Sequence, residues 1–152
     1  MTDKEKIQVE LEISSKSVNV QHAHCQNGHS LIDPSVKING FPAIKVKVKA
    51  KDQEGVLYLD PVYGSYNNIE KGITIPKGTV VEMFCPECGE SLSDDSEVCQ
   101  ICSSPMFVFH LPKESIIEGC LKKGCMFHKL KIVDGEHQME RLFENSTLES
   151  FL

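Results

Sequence analysis

Four of the seven cysteines stand as Cys85-Pro86-Glu87-Cys88 and Cys99-Gln100-Ile101-Cys102, two Cys-x-x-Cys pairs separated by ten residues. Thiols at i and i+3 reach one tetrahedral ion only if the backbone turns tightly between them. Gly89 follows Cys88 and eases such a turn by accepting positive φ, whereas Ser103 holds the equivalent place after Cys102. The spacing predicts a zinc held by Cys85, Cys88, Cys99 and Cys102, with a β-hairpin between the pairs that brings both turns together. Four thiolates leave no position for a substrate, so this metal is expected to be structural.

The other three cysteines lie among histidines. Cys25 sits within His22, His24 and His29, and Cys120 and Cys125 precede His128. Cys25-x-x-Gly28-His29 and Cys120-x-x-x-Gly124-Cys125 each place a glycine directly before the last candidate ligand, which suits two turns converging on one ion. The expected second site is Cys25, His29, Cys120 and Cys125, with His24 or His128 as the replacement fourth ligand. It would staple the N-terminal region to a C-terminal hairpin. Two other readings stand beside it: buried thiols serving as small hydrophobes, and a metal with only three protein ligands, whose free position would suit catalysis.

Cys-Pro-x-Cys-Gly at the end of a strand resembles the knuckle of zinc-ribbon and rubredoxin-like proteins. The resemblance covers residues 80–111 and implies a ribbon subdomain inserted in one compact domain spanning residues 1–152. Rubredoxin-like sites hold iron, which accepts the same four thiolates. The chain has no tryptophan for the aromatic core such an iron site favours, so zinc is the expected metal.

The elements that must carry these ligands read as mainly β. Ile7, Val9, Leu11 and Ile13 alternate with polar residues, and Ile44, Val46, Val48 and Ala50 alternate with Lys45, Lys47, Lys49 and Lys51, the period of half-buried strands. Val56 to Leu59, Ile73 to Ile75, Val80 to Phe84, Met106 to Leu111, Ser115 to Cys120 and Lys129 to Val133 continue the pattern, parted by turn residues at Pro76-Lys77-Gly78 and Pro112-Lys113-Glu114. Asp33-Pro34 reads as turn-rich, residues 61–72 as a long loop, and Asp94, Asp95 and Glu97 as a solvated hairpin tip. Only the end reads as helical: Asp134 can cap a helix with Met139, Leu142 and Phe143 on one face. The expected fold is a small barrel-like β-sheet core with an inserted zinc ribbon and a short C-terminal helix. No internal repeat is apparent.

No apolar run is long enough to span a membrane and no export signal opens the chain, so closely spaced cysteines point to metal thiolates in the cytoplasm rather than disulfides. The net charge of −6 disfavours a nucleic-acid binder, because phosphate backbones are held mainly by lysine and arginine. The lysine face at residues 45–51 would serve that role or meet an acidic partner, or it simply guards a strand edge. Tyr58, Tyr63 and Tyr66 are close enough in sequence to line a pocket or to pack as an ordinary loop. No nucleotide loop, nucleophile elbow or His-Glu-x-x-His pattern is present, and neither Asp60 nor Glu118 can be singled out as an acid or base. The expected function is a non-enzymatic zinc-binding accessory or interaction module that meets a protein partner or a second copy of itself. A small metalloenzyme using the second site is the alternative, and a nucleic-acid-binding ribbon the third.

Overall fold

The computed structural model describes residues 7–11, 19–125 and 127–134. It is mainly β, as the alternation predicts, and forms two antiparallel sheets rather than a closed barrel. The expected C-terminal helix lies outside the described residues. Among the described residues no helix is long and apolar enough to cross a membrane.

The strands are β1 (Ile7–Leu11), β2 (Ile32–Ile38), β3 (Phe41–Ala50), β4 (Gln53–Leu59), β5 (Ile69–Lys71), β6 (Glu82–Phe84), β7 (Ser93–Val98), β8 (Pro105–His110), β9 (Ile116–Cys120) and β10 (His128–Asp134). One sheet runs β2-β3-β4-β5, with β6 also paired to β3; the other runs β1-β10-β9-β8-β7. Ile44, Val46 and Val48 from the first sheet and Phe107, Phe109, Ile117 and Leu130 from the second are buried in one shared core. That burial, rather than strand propensity alone, holds the sheets face to face. The lysine face of β3 points outward as expected, but Lys49 lies between Glu54 and Glu82 in the register, so it is no bare basic stripe.

Two strands fall where turns were expected. β2 contains Pro34, which it tolerates because the register shifts between Asp33 and Lys37. The two-residue turn Asn39-Gly40, both with positive φ, then closes the β2–β3 hairpin. β7 carries Asp94 and Glu97, expected in a solvated tip, and pairs with β8 across a similar shift between Asp94 and Val98. Ile73 to Ile75, an expected strand, is not one; instead Ile69–Lys71, inside the expected loop, pairs with β4 on the side away from β3.

The register also corrects the absence of an internal repeat. Residues 19–71 and 80–131 follow the same path, and each half builds most of one sheet. Ile32↔Ile44, Asp33↔Ala43 and Lys37↔Pro42 in the first half match Ser93↔Phe107, Asp94↔Met106 and Val98↔Pro105 in the second. Asp33 Oδ1 accepts hydrogen bonds from Ser35 N at 2.9 Å and Oγ at 2.6 Å, and Asp94 Oδ1 accepts the same pair from Ser96 at the same distances. Asn19 bridges to Val62 as Val80 bridges to Lys122. The halves exchange their opening segments: His24 bridges to His110 of the second half, and Phe84 pairs with Lys47 of the first. Such reciprocal exchange is the mark of an isologous, two-fold-like arrangement. The sequence trace is thin: Ser30-Leu31-x-Asp33-x-Ser35 against Ser91-Leu92-x-Asp94-x-Ser96.

Candidate metal centres

Each cysteine turn is shaped before any ion is considered. In the first knuckle Gly89 N donates to Cys85 O and Cys85 N to Glu90 O, both at 2.9 Å; in the second, Ser103 N donates to Cys99 O and Cys99 N to Ser104 O, again at 2.9 Å. Gly89 takes φ +76° as the sequence suggests, and Ser103 takes φ +62° without being glycine. Gly28 and Gly124, the glycines before the last ligands, have φ +85° and +96°.

The ligand atoms gather in two tetrads, each with all four atoms within 4.8 Å of one another: Cys25, His29, Cys85 and Cys88, and Cys99, Cys102, Cys120 and Cys125. All eight residues named from the sequence are present, but their grouping is corrected. The two Cys-x-x-Cys knuckles fall in different tetrads. The residues between them form no hairpin of their own: β7 occupies most of the insert as an extended strand of 6 residues paired to β8, and a strand of that length reaches up to about 20 Å. The knuckles therefore sit at its opposite ends.

In the first tetrad the Cys25–His29 turn and the Cys85–Cys88 knuckle occupy equivalent places in the two halves. Cys25 and Cys85 are fully buried; His29 and Cys88 are exposed. Cys25 Sγ lies 3.4 Å from His29 Nδ1 and 3.9 Å from Cys88 Sγ. The second tetrad joins the β7–β8 turn to the β9–β10 turn on one side of a single sheet, over Met106. Its Cys99–Cys125 and Cys102–Cys120 sulfur separations are 3.7 and 3.4 Å. A tetrahedral ion with metal–sulfur bonds of about 2.3 Å spaces its sulfurs about 3.8 Å apart, so both tetrads have the dimensions of a metal site. These separations are far from the ~2.05 Å of a disulfide, and all seven thiols are free.

Backbone amides support the thiolates. Glu87 N, Ile101 N and Lys122 N each donate to the sulfur two residues earlier at 3.4 Å, and Asn27 Nδ2 donates to Cys88 Sγ at 3.5 Å. The Glu90 amide and the Asn27 side chain pull the Cys88 thiol down to about 6, and the Ser104 hydroxyl and amide do the same to Cys102. Burial pushes Cys85 and Cys120 up. Hydrogen bonds that the protonated ring donates to the Cys25 and Cys88 sulfurs raise His29, which must give up its proton to bind a metal. Each tetrad thus holds one thiol pulled down by hydrogen bonds and one pushed up by burial.

The replacement ligands belong elsewhere. His24 Nδ1 lies 3.0 Å from His22 O and its ring faces His110. The His128 ring rests against Tyr66 and Phe107, at centroid distances of 5.1 and 5.8 Å. The tyrosines diverge: Tyr58 is buried with Ile38 and Ala43, Tyr63 packs on the main core, and Tyr66 meets His128.

The first half has its own version of the second tetrad, in different chemistry. By the repeat, Asp60, Gly64 and Ser65 stand where Cys120, Gly124 and Cys125 stand, and Asn39 lies in the turn equivalent to the second knuckle. Ser65 N donates to Val62 O as Cys125 N donates to Lys122 O. Where the second half gathers four sulfurs, the first has the Asp60 carboxylate accepting from Ser65 Oγ at 2.6 Å, Asn39 Nδ2 at 2.8 Å, Val62 N at 2.9 Å and Asn67 N at 3.1 Å. Burial alone would push Asp60 up, but these donors hold it below the usual carboxylate range. Sequence reading missed this cluster; the paired Gly64 and Gly124 were the available signal.

A second group escaped the sequence because its members are distant in the chain. Glu118 is wholly buried on β9, with Lys131 Nζ at 3.0 Å; Glu97 of β7 pairs with Lys131 and, at 2.8 Å, with Lys129. Burial, and a hydrogen bond to Asp94 available only to the neutral acid, push Glu118 up to about 7 against the pull of Lys131. Comparison with protein-family models, curated proteins and solved structures gives no significant match to this chain.

Proposed function

We propose that this chain is a non-catalytic two-zinc β protein that presents a rigid surface to a protein partner. The observation that carries this reading is that each tetrad contains four protein ligands drawn from two separate chain segments. Sites of that kind are coordinatively full and serve to hold segments together. Seven thiolates and one imidazole in tetrahedral groups suit zinc and disfavour oxygen-seeking ions such as magnesium or calcium. Free thiols throughout fit a reducing compartment, in keeping with the cytoplasm.

For the partner surface, the support is the second knuckle. Val98 and Ile101 are 59% and 73% exposed beside Cys99 and Cys102, so a rigid turn holds apolar side chains out in solvent. The net charge of −6 and the acidic neighbours of Lys49 favour a protein over a nucleic acid.

X-ray absorption at the zinc edge on the purified chain tests the reading. Two zinc ions per chain, sharing seven sulfurs and one nitrogen with no exchangeable oxygen, is the expected result. A bound water on either zinc would replace a structural role with a catalytic one.

A further inference from the structure

A cleft of about 650 Å³ opens between the two sheets beside the second tetrad, and Cys120 and Cys125 form part of its wall. That volume lies within the range of small-molecule sites. Its floor is apolar, with Leu57, Met83 and Phe107 among its lining, while Lys77, Lys122 and Lys123 gather at one corner.

The corner is rigid. Gly78 N donates to Lys123 O at 2.8 Å, Lys123 N to Thr79 O at 2.9 Å and Val81 N to Leu121 O at 2.9 Å, so the segments bearing the three lysines are stitched together by backbone. The Lys77 stem lies across Gly124, where an added Cβ would come within 2.9 Å of its Cγ. Lys123 is anchored by Glu70 at 2.7 Å and by Ile75 O. Among the described residues neither Lys77 nor Lys122 has a carboxylate partner.

The fold does not require these cations. The equivalent loop of the first half follows the same path with Val62 and Tyr63 in the places of Lys122 and Lys123. Lys77 and Lys122, without a carboxylate partner among the described residues in a chain of net charge −6, are better explained by what the cleft receives than by what the loop needs.

We infer that this cleft binds a small amphipathic organic anion, an apolar body lying on Leu57, Met83 and Phe107 with a carboxylate or phosphate head at Lys77 and Lys122. Burial of the body supplies most of the affinity, and the lysines choose the sign of the head group. The inference needs no chemistry from the metals, so the proposed structural role of zinc and the cleft can fail separately.

The test uses the full zinc-loaded chain labelled with ¹³C at its methionine methyls and titrated with decanoate, decyl phosphate or decylamine. Saturable shifts of the Met83 methyl with either anion, weakened at least tenfold in Lys77→Glu/Lys122→Glu and absent with decylamine, are expected. Both substitutions change side chains only and keep the Lys122 amide that donates to Cys120 Sγ; zinc content of the double variant is measured beside the shifts, and Lys77→Glu alone replaces it if zinc is lost. No Met83 shift with either anion, equal binding of decylamine, or unchanged affinity in the double variant would overturn the inference.

Discussion

Replacing Lys131 by methionine tests the buried ion group where its energy is concentrated. The substitution keeps the aliphatic stem and removes the charge 3.0 Å from Glu118, a residue with no exposed surface. At that separation and an effective dielectric of about 20, the attraction is on the order of 5 kcal/mol. Breaking a buried pair from one side typically costs about 3–5 kcal/mol, because the remaining charge is stranded. Glu97 keeps Lys129 at 2.8 Å, so the loss falls on Glu118. We therefore expect Lys131→Met to lose about 3 kcal/mol in urea unfolding at pH 8, with zinc content unchanged. The sign of the pH dependence follows from Glu118, whose folded carboxyl already titrates near 7, above its ordinary 4.5. A raised folded value means folding takes up a proton, so this group's penalty grows as pH rises through that window and shrinks as pH falls. Without Lys131 the folded value rises further, and the variant should recover part of its loss between pH 8 and pH 6. Adding Glu118→Leu should restore stability relative to Lys131→Met alone, since a removed pair costs less than a broken one. A loss under 1 kcal/mol for the single variant, or the same loss at pH 6 and pH 8, would refute the reasoning.

Two further substitutions probe the repeat and the sheet interface. Asp60→Ala removes the acceptor of four hydrogen bonds in the half-buried cluster that stands in the first half where the second tetrad stands in the other, and should cost about 2–4 kcal/mol in urea unfolding. Because Asp60 is held below its ordinary value, its contribution is present above about pH 4 and is lost as pH falls further. In Gly119→Ala the new Cβ would lie 2.3 Å from Phe107 Cζ and 3.0 Å from His128 Cδ2, so the buried ring must move. The expected loss is about 1–3 kcal/mol, read from urea unfolding together with a changed Phe107 ring environment by NMR.

What could be read from the sequence was what local chemistry dictates. The turns that follow Cys25, Cys85 and Cys99 carry glycines or small residues, and β3 alternates from Ile44 to Ala50 because one face meets the core. β7 was illegible for the opposite reason: Asp94, Asp95, Ser96 and Glu97 are poor strand formers, and the lysines that take up Glu97 lie on β10, more than thirty residues away. The grouping of ligands was likewise a question of distance in space. Cys88 and Cys99 are separated by only ten residues in sequence, but an extended strand parts them, while the exchange of opening segments brings Cys25 to Cys85. The repeat was hidden because its strongest markers changed chemistry, with Asp60 and Ser65 in one half and Cys120 and Cys125 in the other.

Zinc content after paired cysteine substitution tests that grouping most directly. If each knuckle serves a different ion, Cys85→Ser/Cys99→Ser strikes both tetrads and Cys25→Ser/Cys85→Ser strikes one. Elemental analysis of the purified chains should then give two zinc ions for the unsubstituted protein, one for the Cys25/Cys85 variant and none for the Cys85/Cys99 variant. One zinc retained by the Cys85/Cys99 variant and none by the Cys25/Cys85 variant would return both knuckles to a single ion and contradict the structure.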